Sequence, residues 1–135
     1  MTGRAACWVA LATALLLGGV AWADDAARVS SIRDRVLLAG DVLRVAHLAG
    51  ACRLRDADWI AQLRDLVAAR QAEDARRHTD EVEGGEASLR WMMLGARLNA
   101  TAAATAEHER YGQAACRELE TSGDLTAADR LLDSR

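Results

Sequence analysis

Midway between Cys52 and Cys116 the chain reads HTDEVEGGEASLRWMML, residues 78–94. Gly84 is equidistant in sequence from the two cysteines. Gly84-Gly85 interrupts two flanks whose apolar residues recur at helical steps. A chain folded at these glycines brings Cys52 and Cys116 together at its open end. The stretch therefore predicts a long helical hairpin closed by a disulfide.

Outward from the glycines, the composition supports helices and little else. Proline is absent from all 135 residues. Strand-type alternation is nearly absent, and Ala, Leu, Arg, Glu and Gln, good helix formers, dominate. A first helix is expected over about 26–50, with Val29, Ile32, Val36, Gly40, Leu43 and His47 at three- and four-residue steps. Gly40 costs about 1 kcal/mol there relative to Ala, which a close helix–helix approach explains. Gly50 marks a C-terminal break. The short link after it returns the second helix antiparallel, with Asp56 as N-cap. That helix carries Trp59, Leu63, Leu66 and Val67 on one face, thinning toward the glycines to Ala72, Ala75, Thr79 and Val82. A third helix starts near Glu86 and runs to Thr121, with Leu89, Met93, Ala96 and Ala100 along its inner face. Gly123 ends it. Thr126 and Asp129 have the spacing of a capping box, opening a short helix to about Asp133 that lays Leu125, Leu131 and Leu132 over the open end. The expected fold is all-α: an antiparallel three-helix bundle with a short fourth C-terminal helix. Its long helix 2/helix 3 hairpin turns at Gly84-Gly85 and is closed by one disulfide.

The N-terminus sets the expected compartment. Arg4 precedes an uncharged, mostly apolar run, and Ala21-Trp22-Ala23 before Asp24-Asp25 has the form of a secretory cleavage site. Residues 1–23 read as a signal peptide and 24–135 as one helical domain, exported and periplasmic or secreted, in a Gram-negative bacterium. No membrane span remains after cleavage. Cys7 leaves with the signal, so Cys52 and Cys116 are an even pair in an exported chain, the setting in which a disulfide is expected. A reactive thiol pair has less support, since there is no C-x-x-C spacing. Closing so long a loop is worth roughly 4 kcal/mol on the chain-entropy argument.

The formal net charge is −3, and every one of the 17 basic residues is Arg. Acidic and basic residues are interspersed, so no basic face points to nucleic acid. Zinc and haem motifs are missing: there is no H-E-x-x-H, C-x-x-C or C-x-x-C-H, and no cofactor is expected. Gly84-Gly85 lacks the following Lys-Ser/Thr of a phosphate loop. No catalytic constellation stands out. Glu107-His108-Glu109 is adjacent in sequence, but neighbouring helical residues point apart. Glu107 alone falls on the inner stripe, where Arg44 or Arg110 is the expected partner. Trp59 and Tyr111 fall at similar heights in the hairpin, which predicts an aromatic cluster near the disulfide.

Two features remain as candidate sites. Trp91, Met92, Met93 and Leu94 are four consecutive apolar residues, spread by a helix around most of its circumference. One neighbouring helix cannot cover them all, so part of the set is a candidate partner-binding patch. Asp74, His78, Asp80, Glu81, Glu83 and Glu86 crowd the glycine turn, a weak candidate cation site whose spacing does not match an EF-hand. A solvated turn is the plainer reading. The functional expectation is a non-enzymatic binding protein acting on another periplasmic or envelope protein, as an accessory, chaperone-like or inhibitor/immunity factor. A small-ligand or metal carrier is the alternative, and an enzyme comes third.

Overall fold

Residues 31–134 are described by a computed structural model. The expected signal segment 1–23 and the first residues of the expected first helix lie outside the described residues. The described chain forms α1 (Ile32–Ala51), α2 (Ala57–Arg77), a single 3-10 turn (Thr79–Glu81), α3 (Gly85–Tyr111), α4 (Gln113–Thr121) and α5 (Asp124–Asp133). It is all-helical, with the Cys52–Cys116 disulfide in place and the two Cα atoms 5.5 Å apart.

The bundle runs up, down and up. The centre of its packing is α1, which lies parallel to α3 and antiparallel to α2. The heaviest packing is α1 on α3, then α1 on α2, while α2 and α3 meet only lightly. Small residues permit the close α1–α3 contact: a Cβ added at Gly40 would sit 3.7 Å from the Ala96 Cβ. Gly40 was expected at such an approach. That distance is ordinary van der Waals contact, so the site is snug without demanding glycine.

Three apolar clusters stack along the axis. Near the glycine turn, Ile32, Val36, Ala75, Leu89 and Met93 pack together. The middle cluster joins Val42, Leu43 and Ala46 to Leu63, Val67 and the Ala127–Ala128 pair of α5. At the open end Val45, Leu48 and Ala49 meet Ala104, Ala115 and Leu119, with Cys52 and Trp59 at the margin. Burying one Leu- or Val-sized side chain is worth about 1.5–3 kcal/mol, so both ends of the bundle, as well as its middle, are anchored by apolar packing. The glycine end is therefore better anchored than its thin Ala-Thr-Val stripe on the second helix implied. The missing anchor comes from α1 and α3.

The helix ends depart from expectation at several points. Gly50 lies inside α1, which stops at Ala51 with Arg53 in the left-handed region at φ 57°. The Leu54 N–H bonds to the Ala49 carbonyl at 2.9 Å and the Arg53 N–H to Gly50 at 3.0 Å. This is a Schellman motif with Arg in the position usually held by glycine, at a steric cost of roughly 1–2 kcal/mol. Asp56 does cap α2, accepting the Trp59 N–H at 2.8 Å. The expected continuous third helix is divided at Gly112, whose φ of 51° lets the chain bend between α3 and α4. The last helix starts at Asp124 behind Gly123 (φ 86°), ahead of the expected Thr126 box. Of the three leucines expected over the open end, Leu125 packs there, whereas Leu131 is buried in the middle cluster and Leu132 lies partly buried against that cluster.

Tyr111 does not join an aromatic cluster. It is 55% exposed, with the Arg110 guanidinium over its ring. Trp59 instead turns to α5, donating its indole N–H to Asp129 at 2.8 Å. Equal heights in the hairpin do not bring the two rings together, because α2 and α3 meet only lightly while Trp59 packs against the middle and open-end clusters.

Candidate functional site

The Trp91–Leu94 set splits as a helix requires. Met93 is buried (2% exposed) in the cluster with Ile32, Val36, Ala75 and Leu89. Met92 is half-buried against the same cluster. Trp91 is 74% exposed and Leu94 40%. One turn further on, Leu98 is 64% exposed. Trp91, Leu94 and Leu98 thus make a continuous apolar line on the outer face of α3, at i, i+3 and i+7. Ala87 extends it by the same alternation of four and three. Leu98 is absent from the sequence-based set because it lies one turn beyond the four consecutive apolar residues, although its i+7 spacing from Trp91 makes the stripe readable. The outer line is flanked by Arg90 and Arg97, at i−4 and i+3 from Leu94. Arg90 bonds Glu86 on its own helix at 2.9 Å.

The acidic turn resolves into separate partnerships. Asp74, on α2, is buried and accepts two bonds from Arg35 of α1, at 2.9 Å from Nε and 2.7 Å from Nη2. The bond to Asp74 raises the Arg35 pKa against a smaller desolvation effect, so its charge is secure. Glu81, in the 3-10 turn, accepts from His78 and from the Ile32 N–H at 3.0 Å. It thereby caps the start of α1, where Ser31 makes no side-chain cap bond. The hydrogen bond from His78, then that from Ile32, holds the Glu81 carboxyl below its ordinary pKa. Glu86 pairs with Arg90, while Asp80 and Glu83 are exposed. These carboxylates already meet cations and N–H donors of this chain. Among the described residues they form no group of three His, Cys or carboxylate donors close enough to share a metal ion.

The open end does form such a group. Cys52 at the C-cap of α1, His108 in the last turn of α3 and Cys116 in α4 place ligand atoms within 4.8 Å of one another. Sequence spacing hid this. On a straight helix His108 and Cys116 would be separated by about 12 Å of rise, and only the bend at Gly112 brings them together. Nearby, Glu107 pairs with Arg44 at 2.7 Å, as expected, though both side chains are partly exposed. His47, beside the Thr101 hydroxyl at 2.9 Å, has its pKa lowered by burial and by Arg64. A shallow open groove is lined by Trp59, Gln62, Asp129, Leu132 and Asp133.

Comparison with protein-family models, curated proteins and solved structures finds no match to this chain. Among the described residues, no helix is long and apolar enough to cross a membrane.

Proposed function

We propose that this is a small exported helical protein that works by binding another protein along the outer face of α3. The observation that carries the reading is the exposed line Trp91, Leu94 and Leu98. Large apolar side chains aligned on one helix face gain by being covered, at about 25 cal/mol per Å² removed from water. Their spacing suits the apolar seam of a partner helix laid along α3. Arg97 beside the line favours an acidic residue on that partner's flank, Arg90 being already paired with Glu86. Export is supported by the signal-like N-terminus and by the disulfide, a bond that persists in oxidising compartments. An accessory, chaperone-like or inhibitory role in the bacterial envelope fits this reading.

The test places a photo-crosslinking residue at Leu98, recovers the crosslinked species from the native envelope, and measures the affinity of the purified pair. An interface-centre Trp typically contributes 2 kcal/mol or more, so Trp91→Ala weakens binding about 30-fold or more. The exposed position leaves the helical fold intact, which circular dichroism checks. Affinity unchanged in Trp91→Ala removes α3 as the interface.

A further inference from the structure

We propose that the open end of the bundle is a redox-gated metal site: once the Cys52–Cys116 bond is reduced, both thiolates and the His108 imidazole bind Zn2+. The observation is the convergence of the three ligand atoms within 4.8 Å, from three separate helix ends. Closing a loop needs only two cysteines. The third donor, an imidazole delivered by the bend at Gly112, is the type that completes a thiolate zinc site. Zinc takes Cys sulfur at about 2.3 Å and His nitrogen at about 2.0–2.1 Å, so tetrahedral ligands lie roughly 3.5–3.8 Å apart. The ligand atoms already lie within 4.8 Å of one another, so once the sulfurs separate the imidazole has at most about 1 Å to close. Two Cys and one His leave the fourth tetrahedral position to water.

The gate is the charge of the sulfurs. A bridged sulfur carries no negative charge, and a thiolate carries one. A dithiol reductant supplies two electrons and two protons: its own thiols become a disulfide, and Cys52 and Cys116 become two thiols. Zinc then displaces both thiol protons into solvent, while neutral His108 contributes a lone pair. The two thiolates neutralise the double charge of the cation. The Cys52 side chain is half-buried and Cys116 buried. A reductant therefore approaches the Cys52 sulfur, with Cys116 as the leaving thiolate.

The experiment compares the full-length chain in two states, oxidised and reduced by a phosphine that is then removed. Zn2+ binding is read by competition with a chromogenic chelator, and Co2+ reports the ligand set by its absorption. The oxidised protein is expected to take up no stoichiometric zinc and the reduced protein one ion per chain. Co2+ then gives thiolate charge-transfer bands and the visible bands of a tetrahedral site, and Zn2+ raises the thermal midpoint of the reduced protein. His108→Ala keeps the disulfide and so folds when oxidised. After reduction it binds Zn2+ at least 10-fold more weakly and gives an altered Co2+ spectrum. The proposal is overturned if the reduced protein takes up no stoichiometric zinc, or if His108→Ala binds as tightly. It is equally overturned if the reduced chain in urea binds as tightly as the folded one, because the fold then builds no site.

Discussion

Gln71 offers the sharpest test of how this bundle is packed. It lies on the core face of α2, one turn beyond Val67 and one before Ala75, and is 3% exposed. Neither its side-chain oxygen nor its nitrogen has a hydrogen-bond partner among the described residues. A buried amide in that state costs about 1–3 kcal/mol relative to a satisfied or apolar side chain. Gln71→Met removes both polar atoms while keeping an unbranched chain of similar length, able to adapt to an irregular space. The substitution is therefore expected to stabilise by about 1–3 kcal/mol. For a domain near 100 residues, each kcal/mol moves the thermal midpoint by about 4 °C or slightly more, so a rise of roughly 4–12 °C follows. Calorimetry measures it, and urea unfolding gives the free energy independently. An unchanged urea m-value would show that the folded and unfolded surfaces are otherwise the same. A midpoint that stays put or falls would refute the reasoning, because it would mean that the amide is satisfied and that α2 depends on it.

Two further outcomes test the ends of the bundle. Asp129→Ala removes the acceptor of the Trp59 indole N–H and the partner of Arg55, both partly exposed, and so should destabilise by about 1 kcal/mol. Urea unfolding checks this, and no change would mean that α5 is held by its leucines alone. Acidification should destabilise the fold in two stages. His47 has a folded pKa below its ordinary 6.5, so the folded state binds fewer protons, and its contribution, complete above 6.5, is lost as pH falls through the lower folded value. Glu81 is likewise depressed below its ordinary 4.5, and its contribution is lost as pH falls further still. Urea midpoints measured from pH 8 to 3 follow both stages. Glu81→Gln should flatten the acid stage alone, and an unaltered acid slope would exclude Glu81 as its source.

The parts of the fold legible in the sequence were those set by local chemistry. Asp56 could be read as a cap because a carboxylate before a helical face has one common use. The cysteine pairing followed from two thiols symmetric about Gly84-Gly85. The misread points all involve a residue whose role depends on another segment. Gly50 marks the end of α1 to within one residue, but the left-handed turn that stops the helix is made by Arg53. A Cβ at Gly50 would come 2.7 Å from the Ile60 Cδ1, so any larger residue there needs the end of that side chain to shift. A lone glycine at Gly112 within a helical pattern does not by itself announce a bend, so the meeting of His108 and Cys116 is not legible in the sequence. The acidic turn looked like one feature because its residues are neighbours in sequence. Two of its carboxylates, Asp74 and Glu81, answer to Arg35 and to the Ile32 N–H at the start of α1, 39 and 49 residues earlier.

That dependence on α1 also explains where the apolar line falls. A three-helix bundle in which every pair packs equally would turn α3 so that two of its stripes are covered. Here α1 takes the inner stripe through Met93, Ala96 and Ala100, while α2 touches α3 only lightly. The two bonds of Asp74 to Arg35 tie α2 to α1 near the glycine end. At the other end α5 lies over α1 and α2, and the disulfide ties α1 to α4. None of these fasteners reaches the outer side of α3 at Trp91, Leu94 and Leu98. Rotating α3 to hide that line would draw Met93 and Leu89 out of the apex cluster, exchanging two buried side chains for two or three others. The bundle alone gains little from such a trade, at about 1.5–3 kcal/mol per side chain on either side of it. Covering the line without losing the apex requires another surface.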